Sequence, residues 1–282
     1  MVMNCMNLSE NGKRLIKLYT DMAENGYDRE DGINVESKNT YNSFQLKKFQ
    51  HVVLPSFKKL KIKTVLDYGG GGSNWDELNF NQQTGMSAKQ LFEVRQVTTF
   101  EPARNKNIKL KSDCVVCIDV LEHVFLADVT TIVRELFFLA KKLLVINVAC
   151  YKAAALLPTG ENAHITIREP SWWLGLITAI ASEFPEVEVL LICSETFTSG
   201  VIYDSFRSQD WHNTQKFTIN DNFNRFGAER SKNSGSTPDT TITATQVLRY
   251  VDQLTKQYPQ TGQDIKKVLE KNVPFLNSKL HE

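Results

Sequence analysis

Apolar residues fall into two kinds of spacing along this chain. Leu15, Ile16, Leu18, Tyr19 and Met22 recur at three- to four-residue intervals between 9 and 24, as do Phe44, Leu46, Phe49, Val52 and Val53 between 43 and 60. That is the spacing of one buried helical face, so two helices are expected there, the second bent at Pro55. From Lys63 onward short β-branched runs take over: 64–68 (TVLDY), 96–100 (QVTTF), 114–118 (CVVCI), 143–149 (LLVINVA), 187–193 (VEVLLIC) and 200–206 (GVIYDSF). Several are apolar at successive positions, hence on both faces, which suits parallel strands covered on each side by helices. Helices are expected to open at Ser73-Asn74, and over 127–140 and 169–184, the last with an acid and Pro170 in its first turn. The last two strands are joined by a short Ser/Thr/Gly turn, so they should pair as an antiparallel hairpin at one edge.

The pattern implies an α/β fold with a doubly wound, mostly parallel sheet over 63–207. An N-terminal helical cap is expected over 1–62, and a polar linker with C-terminal helices over 208–282. Residues 233–246 hold seven Ser or Thr and read as a surface loop. Helical spacing returns at Val247, Leu248, Val251 and Leu254, and a shorter helix is expected near 265–269.

Composition narrows the function classes. A 41% share of hydrophobic residues supports one substantial core and argues against disorder throughout. The longest nearly apolar stretch, 143–149, is far below the ~18–20 residues that span a bilayer, so no membrane insertion is expected. The start, MVMNCMNLSENGKR, has no basic head followed by an apolar run, so a cytoplasmic location is expected. Lys+Arg 33 against Asp+Glu 32 leaves a net charge of +1, which disfavours a nucleic acid as partner. The five cysteines are Cys5, Cys114, Cys117, Cys150 and Cys193. Cys114 and Cys117 sit three apart on an expected strand and so point to opposite faces, where they cannot chelate one ion. No metal centre is expected.

In an open parallel sheet, ligands bind beyond the carboxyl ends of the strands. This sequence places Asp67, Tyr68 and the glycines 69–72 there, then Glu101, then Asp119, then Tyr151. A glycine-rich turn lets backbone approach a ligand closely, and an acid at a following strand end can accept hydrogen bonds from a ribose diol. An adenosine-bearing cofactor is therefore expected. The dinucleotide fingerprint G-x-G-x-x-G fails, since the third position falls on Asn74 or Trp75, and no Gly-Lys-Ser/Thr follows for a P-loop. Asp113 opens its strand at the opposite end and reads as structural, and Glu122 reads as a first-turn helix acid.

The stretch V-L-D-Y-G-x-G at 65–71 resembles motif one of class I S-adenosylmethionine-dependent methyltransferases, whose acid stands just before the glycines. Glu101-Pro102 is similar to that family's ribose-binding acid, and Asp119-Val120-Leu121-Glu122-His123 to its motif after the fourth strand. Residues 157–173 (LPTGENAHITIREPSWW) look like the Asn-Ala-His … Trp-Trp segment of a bacterial and phage group of small stand-alone members. The resemblance implies a Rossmann-like sheet and S-adenosyl-L-methionine as cofactor. It would be held by Asp67, Tyr68, Gly69, Gly70, Gly71, Glu101, Pro102, Asp119, Val120 and Leu121. It implies methyl transfer to an oxygen or nitrogen of a small molecule or glycan sugar. The loop after Tyr151 would form the acceptor pocket with Asn162 and Trp172, and His164, then His123, are the candidates for a general base. Two other readings stand beside it: a nucleic-acid methyltransferase, and a non-catalytic cofactor-binding or scaffold protein on the same fold. Two departures matter. Ser73 replaces the third glycine of the usual turn, and Glu101 lies 34 residues after Asp67 and only 12 before Asp113. Either the third strand is abbreviated, or Glu101 ends that strand instead of the second.

Overall fold

Ser9 opens α1 (Glu10–Asn25): its hydroxyl accepts the Gly12 N–H at 3.1 Å. The same residue ties the helix down, because its N–H and hydroxyl donate to the two carboxylate oxygens of Asp128 at 2.8 and 2.7 Å. The structure is a computed structural model that describes residues 8–41, 44–204 and 214–218. After α1 come a two-residue antiparallel pair, β1 (Tyr27–Asp28) and β2 (Asn34–Val35), and α2 (Leu46–Leu60), which continues through Pro55. Then follow β3 (Thr64–Tyr68), the single turn α3 (Ala88–Leu91), β4 (Gln96–Phe100), β5 (Ser112–Ile118) and α4 (Leu126–Leu139). The described elements end with β6 (Ala140–Ala149), α5 (Pro170–Ala181), β7 (Glu188–Ser194), β8 (Ser199–Asp204) and β9 (Thr214–Thr218).

Seven of these strands form one sheet in the order β4-β3-β5-β6-β7-β8-β9. The first five are parallel, and β8 and β9 are antiparallel to their neighbours. The mostly parallel sheet with covering helices is thus present, and β7 and β8 pair as the sequence suggests. They are not the edge, because β9 adds a further strand beyond them. Alternate residues feed two apolar layers. On one face Leu66, Val115, Cys117 and Ile146 pack with Val133 and Leu136 of α4 and Trp173 of α5. On the other, Val65, Cys114, Val116 and Val145 pack with Phe49, Val53 and Phe57 of α2. Cys114 and Cys117 lie in opposite layers, as a spacing of three on a strand requires. Asp113 is structural: one of its oxygens accepts the N–H groups of Lys63 and Thr64 at 2.9 and 3.2 Å, tying β5 to the start of β3.

At the other end of the sheet β4 has a strand on one side only among the described residues. Glu101 therefore follows the strand beside β3, and no separate third strand lies between 101 and 112. In its place Glu101 and Lys106 pair reciprocally, with N–H to O distances of 2.7 and 3.0 Å, closing a short loop.

The helix expected from Ser73-Asn74 is absent: residues 72–86 form turns, and the next helix is α3, capped reciprocally by Ser87 and Gln90. Ser73 does not cap because its hydroxyl donates to Asp67 instead. Left-handed backbone at Asn79 (φ 65°) and Gly85 (φ 71°) then keeps the segment from coiling. No helix of the described residues is long and apolar enough to cross a membrane. The end of the 200–206 run, the linker over 233–246 and the helices expected at 247–254 and near 265–269 lie outside the described residues, as does Cys5.

Candidate functional site

A cavity of about 430 Å³ opens at the carboxyl ends of β3, β4 and β5, with α1 along one wall. That volume is within the range of small-ligand sites. The sequence-selected residues Asp67, Tyr68, Gly69, Gly70, Gly71, Glu101, Pro102, Asp119, Val120 and His123 all line it. Leu121 does not: it is fully buried in the layer under α4.

The turn after β3 is shaped by its glycines. Gly69 (φ 74°) and Gly71 (φ 54°) are left-handed, and a Cβ at Gly69 would run into the Val120 side chain. Glu101 holds the turn from the neighbouring strand. Its Oε2 accepts the Gly71 N–H at 2.9 Å and its Oε1 accepts the Ala103 N–H at 3.1 Å. Each oxygen keeps a further lone pair for a ligand. Burial pushes the Glu101 carboxyl above the usual range, against these two hydrogen bonds. Asp67 acts on the turn from inside, accepting the Ser73 hydroxyl and, at 2.8 Å, Trp75 Nε1–H. Burial raises its pKa as well.

Two cavity residues went unnoticed in the sequence. The Tyr68 hydroxyl donates to Glu135 Oε2 at 2.9 Å, and Lys109 Nζ donates to Glu135 Oε1 at 2.6 Å while lying 4.2 Å above the centre of the Phe100 ring. In the sequence, Glu135 and Lys109 look like ordinary solvated charges. Glu122 is a first-turn acid, as the sequence suggests, but a buried one. It sits in a single 3₁₀ turn, fully buried, and its carboxyl accepts the Ala149 N–H at 2.5 Å while its other oxygen has no partner among the described residues. Burial and the Asp119 charge push its pKa well up.

Beside the turn, two histidines from distant segments meet. The rings of His123 and His164 lie edge to face with centroids 4.7 Å apart. His123 Nδ1 lies 3.0 Å from the Ala163 carbonyl and 2.7 Å from the Tyr19 hydroxyl, which itself donates to Ala163 O at 2.9 Å. His164 Nδ1 lies 2.5 Å from the Tyr151 carbonyl. A carbonyl only accepts, so each Nδ1 carries a hydrogen, and a neutral ring then keeps its lone pair on Nε2. Burial, and then His164, hold the His123 pKa down to about 4, so its ring is neutral at pH 7. A ring nitrogen of each histidine and a carboxylate oxygen of Asp119 lie within 4.8 Å of one another. Tyr19 was not visible as a site residue, since its position on α1 is that of a helical core residue.

The remaining expected residues play other parts. The Tyr151 ring stands edge-on to His164, and it is its backbone carbonyl that holds the histidine. Asn162 accepts the N–H groups of Ala153 and His164 at 3.0 Å and donates to Ala153 O and Glu30 Oε1 at 2.8 Å. With both amide hydrogens and both oxygen lone pairs used, it staples the loop and has no capacity left for a substrate. Trp172 is half-buried, 5.7 Å from the Arg168 guanidinium, and its neighbour Trp173 is wholly core. Neither Trp172 nor Tyr151, Asn162 or His164 lines the cavity directly; His164 reaches it through His123. No family model, no curated protein and no solved structure matches this chain.

Proposed function

We propose that this protein is a methyltransferase with a Rossmann-like sheet. It would use S-adenosyl-L-methionine to methylate an oxygen or nitrogen of a small molecule or sugar. The observation that carries the reading is the coupling of the left-handed glycine turn after β3 to the Glu101 carboxylate across the cavity. The two features belong to one binding surface. The turn gives a ligand access to backbone, and the free lone pairs of Glu101 suit a ribose diol. Asp67, Glu101 and Asp119 supply acidic character around a cofactor whose sulfonium is positive.

When bound, the cofactor would supply the methyl group, with the C–S bonding pair left on sulfur and a proton given up by the acceptor. Asp67, the glycine turn and Glu101 would hold it, and the protein's part would be to align donor and acceptor and keep water out. The neutral imidazole of His123 and the ring of His164 stand on the acceptor side. With a net charge of +1, no nucleic-acid partner is proposed, and the proposed compartment is the cytoplasm.

Calorimetry with S-adenosylmethionine, followed by release of S-adenosylhomocysteine across a panel of hydroxylated and amine acceptors, tests the reading. No cofactor binding would sink it. Glu101→Ala is expected to weaken binding by about 1.5–3 kcal/mol, the worth of charged hydrogen bonds. The isosteric Glu101→Gln is not mild here. Each carboxylate oxygen accepts a backbone N–H, so the amide nitrogen must face one of those donors. A loss comparable to that of Glu101→Ala is expected, and wild-type affinity in both variants would remove Glu101 from the site.

A further inference from the structure

We propose that Asp119, His123 and His164 bind one divalent first-row transition-metal ion at the acceptor end of the cavity. The metal-binding claim stands on these three residues alone; only its role in the reaction rests on the methyltransferase reading.

Asp119 and His123 each present an acceptor, and the ring of His164 can present a third. Asp119 offers a carboxylate to which no donor of the described residues is hydrogen-bonded, and both histidines have their Nδ1–H turned to backbone carbonyls. A ring nitrogen of each histidine and an Asp119 oxygen come within 4.8 Å of one another, a spacing that a shared cation would draw together. The Nδ1–H to carbonyl bonds are the outer-shell contacts that fix the tautomer and ring orientation of a metal-ligating imidazole, leaving Nε2 to the ion. Ligand atoms stand about 2.0–2.2 Å from such an ion, which sets tetrahedral ligands roughly 3.3–3.6 Å apart, so from 4.8 Å the trio needs to close by about 1.2–1.5 Å.

The backbone around the site is built to hold it. Asp119 precedes and His123 closes the single 3₁₀ turn after β5, with Asp119 itself in left-handed backbone (φ 61°). His164 comes from the loop after β6, fastened by Asn162 through the His164 N–H. Tyr19 of α1 buttresses His123. Two imidazoles and one carboxylate favour zinc, iron, manganese or cobalt over calcium and magnesium, which prefer all-oxygen sets. Three protein ligands leave positions open. Asp119 and His123 line the cavity, so an acceptor hydroxyl entering there would complete the coordination and lose its proton more readily. The histidines would then serve as ligands, and the metal would take over the task a general base performs.

The test is titration of tag-free, chelator-treated protein with Co²⁺ alone, followed by visible absorption, with Zn²⁺ competition against a chromophoric chelator. One equivalent of Co²⁺ per chain is expected, with ligand-field bands of nitrogen and oxygen ligation. His164→Gln and Asp119→Asn should each weaken binding tenfold to a hundredfold or more, since even the loss of an outer-shell partner costs that much. Circular dichroism identifies a variant that fails to fold, and the isosteric Asp119→Asn then decides. Unchanged affinity in folded variants overturns the proposal, and so does an intense near-ultraviolet thiolate band, which would place the ion on cysteine. Calorimetry with S-adenosylmethionine on the same wild-type sample separates the two claims. Cofactor binding without cobalt binding overturns the metal site alone. Cobalt binding without cofactor binding upholds the metal site and overturns the methyltransferase reading.

Discussion

Gly71→Val is expected to abolish S-adenosylmethionine binding while leaving the sheet folded. Gly71 is left-handed (φ 54°), a conformation that costs a β-branched residue about 1–3 kcal/mol. A Cβ there would also stand 3.2 Å from both the Cβ and the carbonyl oxygen of Tyr41, closer than ordinary contact. The turn can relieve both only by moving the Gly71 N–H away from Glu101, which breaks the 2.9 Å bond joining the two halves of the proposed binding surface. The apolar layers lie behind the turn and are not touched. Calorimetry should therefore show a loss of at least a hundredfold in affinity with little change in far-ultraviolet circular dichroism. Wild-type affinity would mean that the ligand does not use this turn.

The largest expected effect on stability is at Trp173. It has no exposed surface and is the bulkiest of the fully buried side chains, wedged between α5 and the sheet face formed by β5 and β6. Trp173→Ala should cost about 3–5 kcal/mol, the lost transfer energy plus the cavity left behind. Trp173→Phe should cost far less than the change in volume suggests. The indole Nε1–H is buried with no hydrogen-bond partner among the described residues, so removing it also removes an unpaid desolvation. Urea unfolding monitored by circular dichroism checks both, with the midpoint shifting and the slope kept. Equal losses in the two variants would show that the indole N–H has a partner after all.

Elements with a strong local pattern were legible in the sequence. The runs 64–68 and 96–100 became β3 and β4 residue for residue, because β-branched side chains fill them and glycines or Glu101-Pro102 end them. α1, α4 and α5 fall within a few residues of their expected bounds, since an apolar stripe and a first-turn signal agree. What was not legible depends on contacts across the chain. Ser73 looks like a helix cap, and only the fold brings Asp67 close enough to take its hydroxyl. β1 and β2 are two residues each, too short to show any alternation. His123 and His164 were each singled out, but 41 positions of sequence do not reveal that their rings touch. The partners that hold them are Tyr19, 104 residues away, and two backbone carbonyls, which no side-chain pattern announces. Asn162 shows the opposite error: a polar residue beside a candidate histidine looked like a substrate ligand, and its capacity is spent on the loop.

Among the described residues the strand that delivers Glu101 is flanked on one side only, and the reciprocal pair between Glu101 and Lys106 closes the loop beyond it. Local opening draws on the weakly supported parts of a structure, and here a terminal strand of the sheet leads into the carboxylate that reaches the glycine turn. A ligand bridging that carboxylate and the turn would fasten β4 to β3 from the far side of the cavity. Occupancy would then be written in the backbone amides of residues 96–106, whose hydrogen exchange should slow on binding more than that of the interior strands. The binding site would double as a clasp for the margin of the sheet.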